Sequence, residues 1–102
     1  MTRERLENCY FLRKELALIR RRLESCGENA HQAQRLKERA DELTSEIDAV
    51  EDYIASLDSS ILRQMATLRF VEGMSLKDTA AYVGYSPCHA GRYIKKLFAE
   101  HL

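Results

Sequence analysis

The stretch Ser75–Leu97, SLKDTAAYVGYSPCHAGRYIKKL, decides the reading of the fold. Ser75 stands before an apolar run with Asp78 three residues on, the pattern of a capping box that opens a helix. Leu76, Ala80 and Val83 carry that run to Gly84, a residue free to take the positive φ of a tight turn. Ser86 then caps a second helix, and Pro87 fills its first position, where a missing N–H costs nothing. Two short helices joined by such a turn cross steeply. The crossing needs a small residue at the point of approach, and Ala80 occupies it. Ala90, Ile94 and Leu97 supply the inner stripe of the second helix. The spacing predicts a helix-turn-helix.

Working upstream, Asp58-Ser59-Ser60 offers caps for a further helix from Ile61 to about Val71, with Ile61, Leu62, Met65 and Leu68 as its buried stripe. Gly73 closes it. Residues 58–102 therefore form a three-helix unit. The outer face of its last helix carries Pro87, Cys88, His89, Arg92, Lys95 and Lys96, flanked by Tyr93. In a helix-turn-helix the first turns of this helix meet base edges in the major groove of double-stranded DNA. Arg92 is the expected bidentate guanine contact, with Cys88 and His89 as secondary base contacts. Ser86 and the free amides at the helix start suit a phosphate, and Lys95 and Lys96 suit the DNA backbone. Tyr82, Tyr85 and Tyr93 are expected to pack with a wet hydroxyl rather than to stack on bases.

Residues 1–57 read as an antiparallel, coiled-coil-like helical hairpin. Cys9, Leu12, Leu16, Ile19, Leu23 and Cys26 alternate at three and four, the seam of one helix. Gly27 and Asn29 then end that helix and cap the next. Ala33, Leu36, Ala40, Leu43, Ile47, Val50, Ile54 and Leu57 form the second seam. Leu6, Tyr10, Phe11 and Leu18 lie off the first seam, so the first helix needs a second neighbour. A second copy of the chain and the C-terminal unit both satisfy that need. The expectation is a homodimer through residues 1–57, with the intramolecular arrangement as its rival.

The chain carries 16 basic and 16 acidic residues, but they are partitioned. Residues 1–26 hold a net +3, residues 27–57 hold −5 and residues 58–102 hold +2, so neutrality does not argue against nucleic acid at the ends. The basic first helix is expected to lie along the acidic second. Cys9, Cys26 and Cys88 have no Cys-x-x-Cys pairing, and His31, His89 and His101 are scattered, so neither disulfide framework nor metal site is expected. No apolar run approaches the ~18–20 residues of a membrane span. The opening MTRERL lacks the apolar core of a secretory signal, and a cytoplasmic protein is expected. No catalytic constellation or cofactor motif is readable, and no enzyme is expected.

The run Leu68-Arg69-Phe70-Val71-Glu72-Gly73-Met74-Ser75-Leu76, with Ala80 and Val83-Gly84-Tyr85-Ser86, resembles region 4 of sigma-70-type factors. There a Leu-Arg-Tyr-x-x-Gly-x-Ser run precedes Ile-Ala and Leu-Gly-x-Ser at the same intervals. The wider chain resembles phage and prophage late-transcription regulators of the ArpU and RinA type, which join a charged helical segment to such a unit. The close resemblance covers about 35 residues; for the N-terminal half it is architectural. Thr79 stands where the pattern prefers Ile, and Ala90 where it prefers Val. The resemblance implies a sequence-specific transcriptional regulator with RNA polymerase as a further partner, but not a complete sigma factor, since a promoter-melting region has no place in the chain. The alternatives are a phage small terminase subunit, which also joins a helix-turn-helix to oligomerising helices, and a sigma-mimicking module that binds protein.

Overall fold

The computed structural model describes all 102 residues. The expected all-α architecture is what it contains: five helices and no strand. Helix α1 spans Arg3–Ser25 and α2 spans Ala30–Ala55. Thr2 Oγ1 accepts from the Arg5 amide to start α1, and Asn29 Oδ1 accepts from the Gln32 amide to start α2. Gly27 makes the turn between them at φ +62°. The two helices pack antiparallel on the seams read from the sequence. Cys9, Leu16 and Ile19 of α1 are buried, as are Leu36, Leu43, Ile47, Val50 and Ile54 of α2. Burial pushes the Cys9 thiol above its usual range, and nearby Glu51 adds to the effect, so this cysteine is a neutral packing group.

Charge contributes less to this pairing than expected. Within 4 Å the one ion pair between α1 and α2 joins Glu15 of the basic helix to Arg39 of the acidic one, at 3.1 Å. It is solvent-exposed, a setting in which such pairs contribute at most about 1 kcal/mol. The apolar seams hold the hairpin.

Helix α3 spans Ser60–Ala66, with Ser59 as its cap. Its continuation, Thr67–Val71, widens into a π-turn in which the Glu72 amide donates five residues back to the Thr67 carbonyl at 2.9 Å. The buried set is correspondingly broader than the expected stripe. Leu62, Met65, Ala66, Phe70 and Val71 are buried, while Ile61 and Leu68 are half-buried. Helices α4 (Leu76–Val83) and α5 (Pro87–His101) complete the chain. One contiguous apolar core runs from Leu6 to Leu97 through all five helices. No helix is long and apolar enough to cross a membrane.

The second neighbour of α1 is, for part of its length, the C-terminal unit. Leu6 is fully buried. The Tyr10 ring lies flat across Gly73, so close that a Cβ there would sit 2.6 Å from ring carbons. Arg13 donates to the Val71 carbonyl at 2.7 Å, satisfying an acceptor at the widened end of α3 that has no partner within the helix. Arg3 lies over the Phe98 ring at 4.5 Å. Of the four off-seam residues, only Phe11 and Leu18 remain exposed.

Gly73 is thus constrained twice, by its φ of +73° and by the ring above it. Gly27 shares the left-handed backbone but faces open space. Gly27→Ala should cost about 1 kcal/mol, and Gly73→Ala about 2–3 kcal/mol because the ring must also move. Thermal melts of the two variants check this; equal losses would mean that the Tyr10 contact adds nothing.

Candidate nucleic-acid interface

The orientation of α5 is set by the turn before it. Ser75 Oγ accepts from the Asp78 amide at 3.0 Å, fixing the start of α4. The reciprocal half of the expected capping box is not formed. Asp is one methylene shorter than the Glu or Gln that normally reaches back to the cap amide. At the other end Gly84 adopts φ +81°, its amide reaching the Ala81 carbonyl at 3.3 Å, while the Tyr85 amide closes on the Ala80 carbonyl at 2.9 Å. This pair of bonds is the left-handed helix ending that only a residue without Cβ enters at no steric cost. Ser86 Oγ accepts from the His89 amide at 3.2 Å and starts α5. Ala80 and Ala90 are both fully buried, which lets the two backbones approach at the crossing.

These constraints give α5 two distinct sides. Ala90, Ile94 and Leu97 face the core, and Phe98 meets Phe70 at a centroid distance of 5.8 Å. Ser86, Pro87, Cys88, His89, Arg92, Lys95 and Lys96 are all exposed, and Tyr93 is half-buried. Cys88, unlike Cys9, is therefore a surface thiol rather than a packing residue. Lys96 lies 3.9 Å from Glu100, one turn on. Arg92 and Lys95 have no acidic partner within 4 Å, leaving both cations uncommitted on a convex helix face.

The anion-binding capacity of the helix start is narrower than expected. Pro87 has no amide hydrogen, His89 donates to Ser86 Oγ, and Ala90 donates to the Ser86 carbonyl. What remains in the first turn is the Cys88 amide and the hydroxyl hydrogen of Ser86.

No family model, curated protein or solved structure matches this chain.

Two features lie outside the sequence-derived set. Arg3 of α1 and Arg69 of the π-turn after α3 join Lys95 along a crevice beside α5, where Glu7 is the one acid. Arg69 is held there by donating to the Met74 carbonyl at 3.1 Å. On another side of α5, Tyr85, His89 and Tyr93 form a ring cluster, the two tyrosines parallel to within 3° at 5.8 Å and His89 against both. Tyr85 and Tyr93 pack as expected. Tyr82 does not: it is 70% exposed at the end of α4. Its place off the Leu76–Ala80–Val83 stripe was the available signal.

Thr79 is fully buried, and its hydroxyl has no hydrogen-bond partner. An unpaired buried hydroxyl costs about 1–3 kcal/mol. Thr79→Val removes it at nearly constant shape and should raise stability by about 1 kcal/mol, a gain of roughly 4–8 °C in Tm. A loss of stability on this change would show that the hydroxyl is satisfied in solution.

Proposed function

We propose that this protein is a sequence-specific, double-stranded-DNA-binding transcriptional regulator that places α5 in the major groove as a homodimer. The observation that carries this reading is the pair of uncommitted cations, Arg92 and Lys95, on the outer face of a helix fixed by the Ala80–Gly84–Ser86 turn. The first turns of such a helix reach base edges. Arg92, nearly two turns beyond the cap, has the planar fork that reads the two major-groove acceptors of guanine. His89 and Cys88 stand nearer the cap on the same exposed side. Lys95 and Lys96, with Arg3 and Arg69 from the neighbouring helices, neutralise phosphates. These contacts are sequence-independent and supply most of the salt-sensitive affinity. The resemblance of Leu68–Ser86 to sigma region 4 supports transcription as the setting and RNA polymerase as a second partner.

Arg92→Ala should weaken binding to a selected site by about 1–3 kcal/mol and relax base preference. Lys95→Ala should weaken all sequences alike and lower the salt slope by about one. Selection of sites from random duplex DNA, followed by titrations across a salt series, measures both. An affinity that stays flat with salt would sink the DNA reading and favour a protein-binding module.

A further inference from the structure

The outer face of α1, away from both α2 and the C-terminal unit, carries the two most conspicuous exposed aliphatic and aromatic side chains of the hairpin. Phe11 is 65% exposed and Leu18 is 54% exposed. They are seven residues apart, on one side of the helix and about 10 Å apart along its axis. The face around them is charged in an ordered way. Glu7 and Lys14 flank Phe11, and Glu15 and Arg22 flank Leu18. Glu4, Asn8, Ala17 and Arg21 are exposed beside them.

From this arrangement we infer that the face is self-complementary and receives the α1 of a second copy, antiparallel, about a two-fold axis passing between Lys14 and Glu15. An isologous contact must satisfy the same pairing rule in both directions. With the axis at that point, residues whose numbers are placed symmetrically about it face each other. Phe11 meets Leu18 of the second copy and Glu7 meets its Arg22, while Lys14 and Glu15 of both copies gather about the axis as a group of zero net charge. Each pairing is favourable, and each occurs twice. A parallel arrangement in register sets every charge against its like.

The groups needed are free to make these bonds. Glu7 uses one carboxylate oxygen for Arg3 at 2.8 Å, and Glu15 uses one for Arg39 at 3.1 Å, leaving the other oxygen of each available. Arg22 has no acid within 4 Å. The ring of Phe11 is braced from behind by Tyr10, edge to face at a centroid distance of 5.6 Å. Tyr10 is itself held over Gly73, so the apolar anchor is preorganised by the fold of the single chain.

This inference deepens the homodimer part of the proposed function by naming its face and register, and it is tested without DNA. Light scattering or sedimentation equilibrium of the full chain, from micromolar to millimolar concentration, should show the mass rising from 11.8 kDa to twice that value and no further. Glu7→Arg sets two pairs of arginines against each other and should weaken the dimer at least tenfold. The double variant Glu7→Arg with Arg22→Glu should restore it. Phe11→Ser with Leu18→Ser should abolish it while leaving the far-UV helical signal unchanged, since neither side chain belongs to the core. A wild-type chain that stays at 11.8 kDa overturns the inference, as does a ring larger than two copies. So does a dimer indifferent to both sets of substitutions, which would place the interface on another face. Salt-dependent DNA binding by a chain that fails these tests would leave the DNA reading standing, and a dimer that passes them but ignores DNA would leave this inference standing.

Discussion

The flat contact between the Tyr10 ring and the backbone of Gly73 joins the two halves of this protein. It works together with the continuous apolar core, in which Leu6 of α1 is fully buried, to seat the hairpin on the three C-terminal helices. The contact exists because Gly73 lacks a Cβ at the place where the α3–α4 turn also requires positive φ. Arg13 adds a directional bond beside it, reaching the Val71 carbonyl that the widened end of α3 leaves without a helical partner. Arg3 over Phe98 provides a third point on the far side. These contacts, spread along α1 from Arg3 to Arg13, tie the direction of the hairpin to that of the C-terminal unit.

The remainder of the interface follows from local chemistry. Caps at Ser75 and Ser86, with the left-handed ending at Gly84, leave the backbone little freedom between Ala80 and Ala90. The apolar stripe of α5 then chooses which side is buried, and Arg92 and Lys95 are left outside by elimination. Thr79 is the one place where this core carries a penalty, a hydroxyl buried without a partner.

What could be read from the sequence was whatever depends on near neighbours. Both hairpin seams, the Gly27 and Gly84 turns, and the caps at Asn29, Ser59, Ser75 and Ser86 are patterns within a few residues, and each is found where expected. What escaped depends on residues distant in the chain. Arg13 and Val71 are 58 positions apart, and no periodicity links them. Tyr10 was legible as needing a neighbour, but its identity was not. The π-turn at Thr67–Val71 shifts the buried set by an amount that a straight-helix stripe cannot anticipate. Segment charge was a poor guide as well. It predicted the sign of the helix pairing, yet the close ion pair formed runs against that sign because geometry brings Glu15 to Arg39.

The hairpin extends the molecule to 52 × 23 × 19 Å and gives it a Cα radius of gyration of 16.4 Å. A compact chain of this length would have a radius of about 13 Å. Such a rod tumbles and diffuses slowly for its mass, because friction follows the long dimension. On a sizing column calibrated with spherical standards a single copy will elute early, at an apparent mass well above its own. Shape alone can therefore imitate association in this protein, and its stoichiometry is a question for methods that weigh molecules rather than time them.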